Sequence, residues 1–62
     1  MGDKNLSPEE LAERYDVSLN TVYYWNKIGG GPPFMKIGRH VRYRIADVIA
    51  WENGRLVDSR TA

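Results

Sequence analysis

Five consecutive residues, Gly29-Gly30-Gly31-Pro32-Pro33, decide most of what this chain can become. Glycine relieves the C-terminus of a helix. Two successive prolines forbid its continuation, because each lacks a backbone N–H and clashes with the preceding turn. Whatever lies before the run must therefore finish before whatever lies after it begins. The two sides also carry different periods. Apolar residues recur every three or four positions before the run, as on a helix, and alternate after it, as on a ribbon.

On the helical side, Ser7-Pro8-Glu9-Glu10 is a strong start. Ser7 can cap, Pro8 suits the first helical position and Glu10 completes a capping box. Leu11, Ala12 and Tyr15 follow at helical spacing, so a first helix is expected from about Pro8 to Tyr15, with Asp16 and Val17 as a short turn. Ser18 caps a second helix, Leu19 to Ile28, whose inner side takes Val22, Trp25 and Ile28.

Phe34 to Arg44 reads as a β-hairpin, with Met35, Ile37, Val41 and Tyr43 alternating with Lys36, Arg42 and Arg44. Pairing Ile37 with Val41 keeps both on the inner face and leaves a three-residue loop, Gly38-Arg39-His40. A two-residue loop of Gly38-Arg39 would pair inward Ile37 with outward His40 and break the alternation, although glycine in three-residue loops usually comes last. A third helix is expected from about Ala46 to Asn53, with Val48 and Trp51 on its apolar stripe and Gly54 ending it. Trp25, Phe34, Tyr43 and Trp51 are expected in the core, since large aromatics fill a small interior economically. The chain is expected to be one domain over 1–62, folded over about 6–54, with 55–62 a flexible tail. The expected fold class is mainly α with a small β-hairpin.

A chain of 62 residues buries only about 60% of its unfolded surface, and small domains often compensate with disulfides or a metal. This sequence has no cysteine and one histidine, His40, too few for a zinc site of ~4 protein ligands. No metal and no cofactor are expected. The lack of cysteine fits a reducing cytoplasm. No nucleophile–base pair can be assembled, so an enzyme is not expected. No apolar run approaches the ~18 residues of a membrane span, and no signal-peptide core appears.

The net charge of +1 hides an uneven distribution. Residues 1–17 set Lys4 and Arg14 against Asp3, Glu9, Glu10, Glu13 and Asp16, a net −3. Residues 18–46 hold Lys27, Lys36, Arg39, Arg42 and Arg44 with no acid, a net +5. Residues 47–62 carry Arg55 and Arg60 against Asp47, Glu52 and Asp58, a net −1. A cationic block between acidic flanks suits a polyanionic partner. A solvated basic face with no partner produces the same pattern.

Two short helices joined by a turn are the bare form of a helix-turn-helix, and a ribbon followed by a third helix makes the plan a winged one. The cations then fall on the second helix and the wing, where that plan meets double-stranded DNA. On the second helix, Asn20 and Asn26 have amides able to read adenine edges, and Tyr23 and Tyr24 can reach phosphates or thymine methyls. Lys27 adds charge, and the helix start at Ser18 and Thr21 offers a phosphate seat. Ser18 and Thr21 as caps alone, or a tyrosine packed on the protein, is the plainer reading. On the wing, Arg39 and His40 sit at the tip with Lys36, Arg42 and Arg44 facing outward, and an arginine-tipped ribbon suits a minor groove. Exposed hairpins also carry Lys and Arg to resist edge-to-edge pairing, and His40 by itself is ordinary surface.

The segments Ser18-Leu19-Asn20-Thr21-Val22-Tyr23-Tyr24-Trp25, Gly31-Pro32-Pro33, Lys36-Ile37-Gly38-Arg39-His40-Val41-Arg42-Tyr43-Arg44 and Asp47-Val48 with Trp51 together resemble the excisionase-type helix-turn-helix domain. That is a compact branch of the MerR-like winged helices of phages, prophages and plasmids, and the likeness covers roughly Leu6 to Gly54. It implies a non-enzymatic DNA-bending protein that binds repeated sites beside an attachment site and steers an integrase toward excision. It also implies major-groove contacts by Asn20, Thr21, Tyr23, Tyr24 and Lys27, and minor-groove contacts by Arg39 and Arg42. Tyr24 and Asn26 stand where family members often carry basic residues. The resemblance therefore implies weak single-site binding strengthened by head-to-tail self-association on DNA.

A small MerR-like transcriptional regulator is the alternative. Such regulators usually carry a long dimerisation helix, and this chain ends soon after its third helix, which favours the excisionase expectation. A protein-interaction adaptor that leaves DNA alone is a third.

Overall fold

The computed structural model describes residues 4–57. In chain order these form β1 (Asn5–Leu6), α1 (Pro8–Tyr15), α2 (Leu19–Ile28), β2 (Met35–Ile37), β3 (His40–Arg44) and α3 (Ile45–Asn53). The result is mainly helical, a winged helix-turn-helix with a small antiparallel sheet of order β1-β3-β2.

Local chemistry explains the helix boundaries. Ser7 Oγ accepts from the Glu10 N–H at 3.1 Å, and Glu10 Oε1 accepts from the Ser7 N–H at 2.9 Å, which is the expected capping box. α1 stops where Asp16 turns left-handed, with φ 55°, a region Asp tolerates better than most residues. α2 starts on Ser18, whose Oγ accepts from the Thr21 N–H at 3.2 Å, and ends at Gly29 with φ 75°. α3 begins at Ile45, one residue before the expected start, directly out of β3.

The hairpin register differs from the expected one. Ile37 pairs with His40, Lys36 with Val41 and Met35 with Arg42, so the loop is the two-residue Gly38-Arg39 rather than Gly38-Arg39-His40. Gly38 adopts φ 61°, which suits the two-residue hairpin turn with glycine first. Turn chemistry thus outweighs the apolar alternation. A one-residue slip flips every side chain of one strand. Lys36 now shares the face of Val41 and Tyr43, while Met35 and Ile37 share the other face with His40, Arg42 and Arg44.

β1 was not expected, since two residues carry no period to read. It forms by pairing Asn5 with Arg44 and Leu6 with Tyr43, and Ile45 N–H donates to the Lys4 carbonyl at 2.9 Å. Leu6 thereby joins Leu11, Ala12, Val22, Tyr43 and Val48 in the core, with Tyr15, Val17, Trp25, Val41 and Ile45 packed against it.

The expected aromatic core divides in two. Tyr43 is completely buried, whereas Phe34 is exposed and meets the Tyr43 ring edge-on, centroids 6.1 Å apart. Trp25 and Trp51 are half-buried and form a triangle with Tyr15, with centroids 5.5–6.0 Å apart. Ile28, expected on the inner side, is exposed because it sits about 120° around α2 from Val22.

Arg55, expected in the tail, is anchored. Its guanidinium donates to the Gly30 carbonyl at 2.7 Å and lies 4.9 Å from the Trp51 ring, whose Nε1 donates to the same carbonyl at 3.3 Å. Leu56 and Val57 are exposed, and the rest of the expected tail, 58–62, lies outside the described residues. Among the described residues, no helix is long and apolar enough to cross a membrane.

Candidate nucleic-acid interface

Val22 points into the core, so at about 100° per residue Asn20, Tyr24 and Lys27 project from the opposite side of α2. All three are exposed, and Tyr23 flanks them at 46% exposure. None of these four side chains has a hydrogen-bond partner among the described residues. The structure therefore gathers Asn20, Tyr23, Tyr24 and Lys27 into one outward surface.

Ser18 and Thr21 stand apart from that group. Ser18 Oγ accepts the Thr21 N–H, and the two hydroxyls share a hydrogen bond at 2.9 Å, so both side chains serve the cap. Asn26 also departs from its expected exposure. It lies only about 40° around the helix from Val22, is half-buried, and its Oδ1 accepts the Tyr43 hydroxyl at 2.8 Å. Burial pushes the Tyr43 phenol above its ordinary range, and the bond to Asn26 offsets part of that.

The polar side chains of the wing divide the same way. Lys36, Arg39 and His40 are exposed at the end of the hairpin, with no side-chain hydrogen bond or ion pair among the described residues. Arg42 is half-buried, and its Nη1 donates to the Val41 carbonyl at 2.7 Å. Its charge also reaches Glu10. The Glu10 carboxyl is held below its ordinary value first by the Ser7 N–H, with smaller help from the charges of Lys4 and Arg42. Arg44 Nε donates to Asp47 Oδ2 at 2.8 Å across the β3–α3 junction. The expected single outward face of Lys36, Arg42 and Arg44 is thus corrected: the register places Lys36 on one side of the ribbon and both arginines on the other.

Several functional details were not foreseen. The Asn26–Tyr43 bond, which joins α2 to the wing, depends on tertiary packing alone. For the Arg44–Asp47 pair the i, i+3 spacing was a usable signal. The outward turn of Ile37 follows from Gly38, and it leaves that side chain 55% exposed among the wing cations.

This surface is cationic, amide-bearing and aromatic, and it is built on a helix and a ribbon, a combination that can read a nucleic-acid groove and hold its phosphates. The model of the helix-turn-helix domain family matches residues 6–55. A search of curated proteins finds no match.

Proposed function

The chain belongs to the helix-turn-helix domain family, a DNA-binding family, and from that premise we propose that it is an excisionase. In this reading it is a small DNA-bending accessory protein of a phage or prophage. It binds repeated sites near an attachment site and directs a separate integrase toward excision. The observation that carries the reading is the acid-free stretch 18–46, which folds into an outward α2 surface and a hairpin whose Lys36 and Arg39 have no partner among the described residues. The excisionase assignment itself rests on the run of motifs from Ser18 to Trp51.

α2 takes the major groove. Asn20 reads base edges with its amide, Tyr23 and Tyr24 meet thymine methyls or phosphates, and Lys27 neutralises phosphate. Arg39 enters the minor groove, with His40 and Lys36 beside it. Arg42 and Arg44, already engaged within the fold, contribute through their charge. Thr21 and Ser18 act by fixing the helix start. With about 4–6 phosphate contacts, log affinity falls by about 0.9 per contact for each tenfold rise in salt. Weak single sites favour head-to-tail occupancy. The action is stoichiometric, takes no cofactor, and belongs in the cytoplasm of a bacterial host.

Selection from a random duplex pool at low salt, followed by sequencing, tests the reading. Evenly spaced direct repeats support the excisionase. Inverted repeats point to a dimeric MerR-like regulator. No enrichment over the starting pool overturns both.

A further inference from the structure

We propose that Ile37 is a minor-groove wedge, the residue that converts binding into a bend by pushing between two stacked base pairs. This rests on the DNA-binding reading above and extends it to a residue with no charge.

Four observations meet at this position. Ile37 is the last residue of β2 and pairs directly with His40, so it stands at the very end of the ribbon beside the Gly38-Arg39 turn. It is 55% exposed, on the ribbon face opposite Tyr43, and has no core to fill. It shares its ribbon face with His40, Arg42 and Arg44 and adjoins the turn that carries Arg39, and the stretch from Ser18 to Ala46 contains no acid to repel a phosphate backbone. Its β-branched side chain has few rotamers, so it presents a stiff edge rather than one that folds away.

Other exposed aliphatics lack this setting. Ile28 and Leu56 border an open groove of ≈ 580 Å³ beside Trp25 and Trp51, and Ile49 lies on α3. Among the described residues, Ile37 is the exposed aliphatic that projects from a hairpin end between cations. Charge complementarity selects a polyanion as its partner, and a side chain at the end of the ribbon can enter a minor groove about 6 Å wide without the ribbon itself doing so. Apolar wedges in that setting partly unstack a base step and kink the duplex toward the major groove. The register is the reason this residue is available: one residue of slip would have turned Ile37 inward and left the wing tip wholly polar. Flexible pyrimidine–purine steps are the expected target, since they unstack most readily.

The test uses the full chain and a selected duplex labelled at both ends for energy transfer, with a fluorescent adenine analogue at a central T-A step. Wild type is expected to bring the ends together and brighten the analogue. Ile37→Ala, checked for folding by circular dichroism, is expected to form a complex with the wild-type salt slope, because no phosphate contact is removed, yet to lose most of the bend and the brightening. Ile37→Val, which keeps the β-branch, is expected to restore most of both. A bend in Ile37→Ala equal to that of wild type overturns the wedge. So does a wild-type complex that leaves the duplex straight, although binding itself then stands. Loss of binding together with bending in folded Ile37→Ala makes the residue an ordinary affinity contact and likewise overturns the proposal. Failure of wild type to bind any duplex removes the DNA-binding reading and the wedge with it.

Discussion

The Tyr43 hydroxyl reaches across 2.8 Å to Asn26 Oδ1, tying β3 of the wing to the last turns of α2. Tyr43 is fully buried and Asn26 half-buried, so this bond adds a polar tie between the two surfaces of the interface to the packing of Tyr43 in the core. Tyr43→Phe leaves the Asn26 carbonyl without its donor and should cost about 1 kcal/mol in urea unfolding. Specific DNA affinity should fall further than that loss explains, because the wing is no longer held in register with α2. A double-mutant cycle with Asn26→Ala measures the coupling. Coupling near zero would mean that the bond does not hold the wing.

The helical half of this fold is nearly all legible in the residues, because its signals are local. Ser7, Glu10, Ser18 and Gly29 each act within a turn of their own position, and the helices they bound appear within one residue of expectation. The hairpin departs from the expected register by one residue, because two local rules compete there and the glycine turn overrides the apolar alternation. β1 was missed because its two residues gain meaning only from pairing with β3. The candidate site was legible in outline, since the cationic block is a property of composition. Its division into free and engaged cations was legible only in part: the i, i+3 spacing signals the Arg44–Asp47 pair, whereas the turn of Arg42 back onto the Val41 carbonyl has no spacing to mark it.

Gly38 gives a direct check on which rule governs the hairpin. A Cβ at this position would meet no heavy atom within 4 Å, so Gly38→Ala costs only backbone strain at φ 61°. That strain should amount to about 1 kcal/mol. Cross-strand contacts between Ile37 and His40 in NMR spectra should persist in the variant, with a lower melting temperature. A variant as stable as wild type would show that the turn does not need its left-handed residue.

Glu52 gives the fold a predictable acid limit. Arg14 Nη2 donates to Glu52 Oε1 at 2.9 Å, and the Tyr15 hydroxyl donates to Oε2 at 2.6 Å. These bonds, that from Arg14 first, hold the carboxyl at about 2, below its ordinary 4.5. Because the folded value is the lower one, the stabilisation is complete above 4.5 and disappears as pH falls from there to about 2. Tyr15 mirrors this in alkali. Burial first, then its bond to Glu52, pushes it up to about 12, so its contribution is whole below 10 and is lost as pH rises to about 12. Urea midpoints measured across pH should decline at both ends, and Glu52→Gln should flatten the acid decline. An acid decline of wild-type steepness in that variant would assign the acid sensitivity to another carboxylate.

Arg39 and Arg44 carry the same charge in the same hairpin region, yet they should behave differently on DNA. Arg39 is exposed beside the turn and has no partner among the described residues, whereas Arg44 is already bonded to Asp47 at the start of α3. Arg39→Ala should therefore weaken duplex binding and lower the salt slope by about 1, the loss of one phosphate or groove contact. Arg44→Ala should leave most of the slope in place and instead lower stability by up to about 1 kcal/mol, as expected for an exposed ion pair. Titrations of a labelled duplex at several salt concentrations separate the two effects. Equal slopes for Arg39→Ala and wild type would place the wing tip away from DNA, and a full unit lost in Arg44→Ala would mean that its bond to Asp47 opens on binding.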